Sequence, residues 1–228
     1  MSQQNLSLSI SRITRSKAAA KASYDRMSRF YNWLAGPSEW PLTLIGLELL
    51  NAQPGEYVLE IGYGTGRALL HLLRAVGSDG QVAGIDISTG MRDVAQKHLA
   101  GNNKHKNIDL RCGDALTLLW NSKEFNAVFI SFTLELFDSP EIPLLLKSCW
   151  RVLRPNGRIV IVALAKKDHQ GFAERIYGWA HNVLPNYVDC RPIYAKNSII
   201  QAGFVVEEIL HKSIWGLPVD IITAIKPS

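Results

Sequence analysis

The sequence predicts an α/β fold: seven strands in one mostly parallel sheet with an antiparallel last strand, and helices on both faces. Three observations carry that prediction. An apolar run, Tyr57-Val58-Leu59-Glu60-Ile61, breaks into Gly62-Tyr63-Gly64-Thr65-Gly66 and then into helix-forming residues 67–73. Four more apolar runs alternate with helix-length segments as far as residue 165. The last two runs, 205–214 and 219–225, are separated only by Trp215-Gly216-Leu217-Pro218, a link that allows only an antiparallel pair.

In chain order, residues 1–9 are polar with scattered leucines, and residues 10–34 lack Pro and Gly and read as helix. At about 100° per residue, Ile13, Ala20, Tyr24, Met27 and Tyr31 share one face. Arg12, Arg15, Arg26 and Arg29 lie opposite, and Lys17 and Lys21 flank the apolar side. Gly36-Pro37 stops this helix. Ser38 is placed to cap a second one through residues 42–50, and Pro54-Gly55 ends the connection. Strand one covers 57–61, followed by a helix over 65–76 and a turn at Asp79-Gly80. Strand two is 82–86, with a helix over 89–100; strand three is 107–111, with a short helix after it. Strand four is 125–131. Ser139 offers a cap for a helix over 140–153, and Pro155-Asn156-Gly157 turns into strand five, 158–165. Residues 166–196 form a long insertion with a helix near 171–183, and connections of that length are usually functional or flexible.

A chain of 228 residues fits one α/β domain with a short extension. No apolar run approaches the roughly 20 residues needed to span a bilayer. The polar N-terminus lacks a signal peptide's apolar centre, so a cytoplasmic location is expected. Cys112, Cys149 and Cys190 are far apart and show neither metal-ligand nor redox spacing, so no metal is expected. Six basic residues against Asp25 give residues 1–35 a balance of +5, equal to that of the whole chain. The body is therefore neutral, which argues against a nucleic-acid surface on it.

The chemistry gathers where strand one ends. Glycines permit positive φ and remove the Cβ atoms that keep a ligand from the backbone. Such a turn at the carboxyl end of a parallel strand is where open α/β sheets bind nucleotide-like cofactors. Asp86 ends strand two, 20 residues after Gly66, where a carboxylate can accept both hydroxyls of a ribose; the alternative is a cap for the helix that begins near Ser88-Thr89. Asp114, in Cys112-Gly113-Asp114-Ala115, can accept from an adenine amino group or cap its own turn. Ser131-Phe132-Thr133-Leu134-Glu135 leaves strand four toward the same crevice. A nicotinamide dinucleotide prefers Gly-x-Gly-x-x-Gly, because its pyrophosphate needs a helix N-terminus. Here the spacing is Gly62-x-Gly64-x-Gly66 with Glu60 upstream, which suits a ligand with an amino-acid end and no phosphate.

Residues 58–66, Gly84-Ile85-Asp86, Gly113-Asp114-Ala115 and Leu153-Arg154-Pro155-Asn156-Gly157 resemble the successive motifs of class I S-adenosylmethionine-dependent methyltransferases. The resemblance spans about residues 24–226 and is strongest to the branch of quinone-biosynthesis and bacterial phospholipid N-methyltransferases. It implies a Rossmann-like seven-stranded sheet and S-adenosyl-L-methionine as cofactor. By the same resemblance Glu60, Gly62, Tyr63, Gly64 and Gly66 hold the methionine end, Asp86 the ribose, and Asp114 and Ala115 the adenine, with Ser131 in reach. Ser23-Tyr24-Asp25 and Tyr31 resemble the tyrosine-bearing helix that folds over the cofactor in this branch. The domains are thus a lid helix, 1–36, and a methyltransferase domain, 37–228, whose insertion, 166–196, forms part of the substrate pocket. Tyr63 stands where a small or charged residue is common and is expected to narrow that pocket.

The expected reaction is methyl transfer to a small lipophilic acceptor, a quinol precursor or a phospholipid amine. A water-soluble acceptor and a non-catalytic cofactor-binding module are the alternatives. Tyr31, Glu135, Tyr177, Tyr187 and Arg191 are the expected acceptor-side residues, with Arg191 able to pair with a phosphate or carboxylate. His169, His181 and Asp189 join Glu135 as candidate general bases. The basic amphipathic helix suits an anionic membrane surface at the inner face, with packing on its own domain as the other reading.

Overall fold

The computed structural model describes residues 22, 25, 36–100, 107–166 and 191–228. The strands are β1 (Tyr57–Ile61), β2 (Gln81–Asp86), β3 (Ile108–Cys112), β4 (Phe125–Ser131), β5 (Leu153–Leu164), β6 (Val205–Ile214) and β7 (Leu217–Ile225). They form one sheet in the order β3-β2-β1-β4-β5-β7-β6. β7 lies antiparallel to both of its neighbours, and the other neighbouring pairs are parallel. The helices are α1 (Gly36–Leu50), α2 (Arg67–Val76), α3 (Thr89–Ala100), α4 (Glu141–Val152) and α5 (Ala195–Gln201).

The two-residue period of the strands divides the core. In β1, Leu59 and Ile61 join Leu145, Leu146 and Ile199 of α4 and α5 on one face. Val58 joins Leu47 and Leu50 of α1 and Leu69 and Leu72 of α2 on the other. The same alternation puts Glu60 on the α1–α2 face, at the strand's carboxyl end. α1 crosses the sheet closely because Gly46 has no side chain: a Cβ there would lie 2.6 Å from Val162 Cγ2 and 3.1 Å from the Phe129 ring.

Several boundaries differ from the sequence reading. α1 begins at Gly36, so Gly36-Pro37 forms its first turn, where the N–H that proline lacks has no intrahelical acceptor anyway. No helix follows β3. Arg151 donates to the carbonyls of Leu118 and Trp120 at 2.6 and 2.7 Å, and Ser148 to that of Leu116 at 3.1 Å, so side chains of α4 satisfy this stretch. Ser139 does not cap α4; Asp138 Oδ1 accepts from the Ser139 N–H at 2.8 Å, and Glu141 Oε2 accepts from the Asp138 N–H at 3.2 Å. β5 starts at Leu153 and runs through the expected turn, with Asn156 at φ 60. The final link shortens to two residues, Trp215 and Gly216, because Ile214 pairs with Leu217.

Gly46→Ala is expected to lower unfolding free energy by about 1–3 kcal/mol, the range for overpacking a filled core. Denaturant melts check this; an unchanged midpoint would show that α1 can ride higher without loss.

Candidate functional site

β1, β2 and β4 end side by side, and their connections build a cleft beneath α1. One half is lined by Glu60, Gly62, Tyr63, Gly64, Asp86, Met91, Gly113, Asp114 and Ala115. The other is lined by Glu39, Trp40, Thr43, Arg67, Ser131, Phe132, Thr133, Leu136, Phe137 and Glu141. Ser131 thus meets Thr43, whose hydroxyls lie 2.9 Å apart.

Asp86 joins the turns. Its Oδ2 accepts from the Gly64 N–H and its Oδ1 from the Ser88 N–H, both at 2.9 Å. Burial raises its carboxyl above the ordinary value, those backbone donors oppose the rise, and Asp25 adds to it. Burial, then Asp86, holds the Glu60 carboxyl well above the usual carboxylate range. Glu60 is only 4% exposed, and its Oε2 has no hydrogen-bond partner among the described residues.

The glycines divide their tasks. Gly62, at φ 75, leaves room for Thr133: a Cβ would lie 2.2 Å from Thr133 Oγ1. Gly64, at φ 51, has nothing within 4 Å of the Cβ position and faces open cleft. Gly66 lies outside the cleft lining and lets α2 approach α3, with Ala95 Cβ 3.0 Å from its Cβ position. Tyr63 borders the cleft with most of its side chain turned into the core. Its buried ring packs against Gly84, and its hydroxyl donates to the Arg111 carbonyl at 3.3 Å. Asp114 borders the cleft and also closes its own turn, Oδ1 accepting from the Leu116 N–H at 3.0 Å.

The N-terminal segment reaches this place at one described point. Asp25 Oδ1 accepts from Ser88 Oγ at 2.5 Å and from the Gly90 N–H at 2.9 Å, at the start of α3. Tyr24, Tyr31, Tyr177, Tyr187, His169, His181 and Asp189 lie outside the described residues.

Glu135 and Arg191 do not reach the cleft. Glu135 is fully buried in a single 3-10 turn (Leu134–Leu136), where Oε1 accepts from the Leu164 N–H at 3.3 Å. Arg191 is 2% exposed and donates to the Phe137 carbonyl at 2.5 Å and to Ser139 Oγ at 3.2 Å. A guanidinium so enclosed braces Phe137 and Ser139 and offers no fork to a phosphate in the cleft. Glu39, Trp40, Thr43 and Arg67 were not expected in the site. Trp40 lies under the Arg67 guanidinium, 4.2 Å from the ring centroid. The signal was present: Glu39, Thr43 and Gly46 recur at helical spacing on an otherwise apolar helix.

Residues 58–157 match the family model described as a methyltransferase domain. The chain is 35% identical over 113 residues to a demethylmenaquinone methyltransferase of Lactobacillus johnsonii, covering 50% of this chain and 46% of that one. It is 28% identical over 156 residues to a 2-phytyl-1,4-naphtoquinone methyltransferase of Nostoc sp., covering 67% of each. In its matches to demethylmenaquinone methyltransferases of L. johnsonii and Desulfitobacterium hafniense the chain spans about half of their length, 46% and 54%. Among solved structures, a SAM-dependent methyltransferase from Aquifex aeolicus superposes with TM-score 0.59 at 19% identity over 80% of this chain and 88% of that one. The [4+2]-cyclase SpnF superposes with TM-score 0.76 at 17% identity over 96% of this chain and 99% of that one. These two likenesses establish the fold, and a fold shared with a cyclase does not by itself name a reaction.

Burial pushes the Glu135 carboxyl from its ordinary 4.5 up to about 8, against backbone donors and Arg191. Between those values the folded chain holds a proton that the unfolded chain has lost, so stability falls as pH rises from about 4.5 to about 8. The thermal midpoint of Glu135→Gln should fall less steeply than wild type across that range. Equal slopes would show that Glu135 is already ionised near neutrality.

Proposed function

We propose that this chain is a class I S-adenosylmethionine-dependent methyltransferase that transfers a methyl group from S-adenosyl-L-methionine to a small lipophilic acceptor. The observation that carries the reading is Glu60. A buried, unpartnered carboxyl oxygen in the wall of the cleft, beside the open space at Gly64, fits an ammonium group at the end of a ligand. The cofactor supplies a methyl group already activated by its sulfonium.

The residues of the chain bind, orient and exclude water. Asp86 has capacity for about four acceptor interactions. The Gly64 and Ser88 amides use one on each oxygen and the Ile87 amide also acts on this carboxylate, and the capacity that remains serves the hydroxyls of a ribose. Gly113, Asp114 and Ala115 border the place for the adenine. Trp40, Phe132, Leu136 and Phe137 give the opposite half an apolar wall that suits a ring and keeps out water. Tyr24 and Tyr31 close over the cofactor, with Asp25 as the anchor of their segment at the start of α3. Tyr177 and Tyr187 complete the acceptor side.

The first choice of acceptor is a quinol precursor, because relatives named as demethylmenaquinone and 2-phytyl-1,4-naphtoquinone methyltransferases share the matched region. A phospholipid amine is the second, favoured by Glu39 and Glu141 on the same wall. The basic N-terminal helix serves as a contact with anionic lipid at the inner face of the membrane; no helix among the described residues is long and apolar enough to cross it.

Asp86→Ala is expected to weaken S-adenosylmethionine binding by about 2–4 kcal/mol, from two charge-assisted hydrogen bonds, and Glu60→Gln by about 1.5–3 kcal/mol. Calorimetry on each variant checks this, and unchanged affinity in both would remove the site. Labelled methyl transfer to a prenylated naphthoquinol and, in parallel, to a phospholipid with a primary amine separates the acceptors. Deleting residues 1–35 should raise the cofactor's dissociation constant and abolish turnover while the sheet stays folded. Normal turnover by that truncation would eliminate the lid.

A further inference from the structure

The β6–β7 hairpin ends in an unusual residue. Ile214 pairs with Leu217, so Trp215 and Gly216 alone make the turn, at φ 50 and φ 78. Two consecutive positive φ values define the tight hairpin turn that favours Asn-Gly, and a bulky residue at its first position is strained. Tryptophan nevertheless occupies it, and its side chain is 73% exposed. Ile214 and Leu217, the residues either side of the turn, are buried in the core, so the hairpin holds the ring out on a rigid base. Strain retained at an exposed tip points to a use for the side chain.

The tip stands at the edge of the sheet where the cleft opens. β5 and β7 pair Leu164 with Val219, and the Ala165 N–H donates to the Pro218 carbonyl, so Trp215 projects beyond the carboxyl end of β5. At strand spacings of 4.7–4.9 Å and about 3.3 Å per residue, it lies roughly 10–15 Å to the side of β4 and roughly 13–17 Å above its end. Among the described residues around the tip, Lys212 is exposed opposite Val219, Lys166 follows Ala165 with its ammonium 5.4 Å from the Tyr194 ring centroid, and Asp220 is held by His211 at 2.8 Å.

We propose that the Trp215-Gly216 tip is a second membrane-interface anchor. Its indole enters the headgroup layer of an anionic bilayer, with Lys212 meeting lipid phosphate and the mouth of the cleft turned toward the surface. An indole suits that layer, since its ring is apolar and its N–H needs a polar partner. The inference deepens the lipophilic-acceptor reading and rests on it for its purpose; the contact itself is read from the hairpin.

The test uses the full chain and vesicles of mixed phosphatidylcholine and phosphatidylglycerol at low salt. Trp215→Asn places a residue that favours positive φ in the turn, so its thermal midpoint should equal or exceed that of wild type. Its vesicle partition coefficient should fall about tenfold, the loss expected for one large apolar side chain withdrawn from lipid. Brominated lipids should quench wild-type tryptophan fluorescence more than that of Trp215→Asn. The same difference should persist when Arg12, Arg15, Lys17 and Lys21 are all changed to Gln, which separates the tip from the N-terminal helix. Equal partition of wild type and Trp215→Asn overturns the proposal, as does a wild type that stays unbound with anionic vesicles. Calorimetry with S-adenosylmethionine runs alongside: a chain that binds vesicles through Trp215 but not the cofactor keeps this anchor and loses the methyl-transfer reading.

Discussion

One carboxylate ties the ends of the central strands together. Asp86 takes one backbone N–H from the glycine turn after β1 and one from the turn after β2. These contacts fix the path of the Gly62–Gly66 turn while the chain leaves the sheet, where no ladder can hold it. Thr133, from the turn after β4, closes against Gly62 from the other side. The result is a rigid rim of three turns on a sheet whose register is already set, a preorganised frame for a ligand. The arrangement is costly, since burial and then the Asp25 charge raise the Asp86 carboxyl, and burial and then the Asp86 charge raise that of Glu60. The backbone donors offset part of that cost.

The strands were legible because their signals are local. Apolar runs bounded by turn residues gave β1, β2 and β4 within a residue, and the short final link gave the antiparallel pairing of β6 with β7. The glycine turn and Asp86 were legible because their spacing from strand ends fixes their side of the sheet. Features that depend on three-dimensional neighbours were not. Tyr63 reads as an obstruction until the empty side-chain position at Gly84 is seen beneath its ring. Arg191 and Glu135 read as exposed polar groups at a crevice, yet Leu164, Phe137 and Ser139 enclose them. α1 reads as a helix with an apolar stripe, and only its packing on the sheet, close at Gly46, brings Glu39, Trp40 and Thr43 to the cleft. The parts read through the N-terminal and insertion tyrosines lie outside the described residues.

Charge is the property that best connects this architecture to the proposed chemistry. Glu60, Asp86, Asp114, Glu39 and Glu141 all border the cleft, and the one cation on its wall among the described residues, Arg67, stacks on Trp40. Burial raises the proton affinity of Glu60 and Asp86, and the neighbouring Asp86 charge raises that of Glu60 further, so this end of the cleft is electrostatically unfavourable for the chain. A ligand carrying positive charge relieves that tension, and its arrival brings the carboxyls back toward their ionised forms. On the proposed reaction the charge leaves the cofactor with the methyl group. An acid-lined cleft therefore holds the cationic cofactor more tightly than the product left after transfer. The same carboxyls that cost stability in the empty chain thus favour exchange of spent cofactor for fresh, a bias set by Glu60 and Asp86 before any acceptor enters.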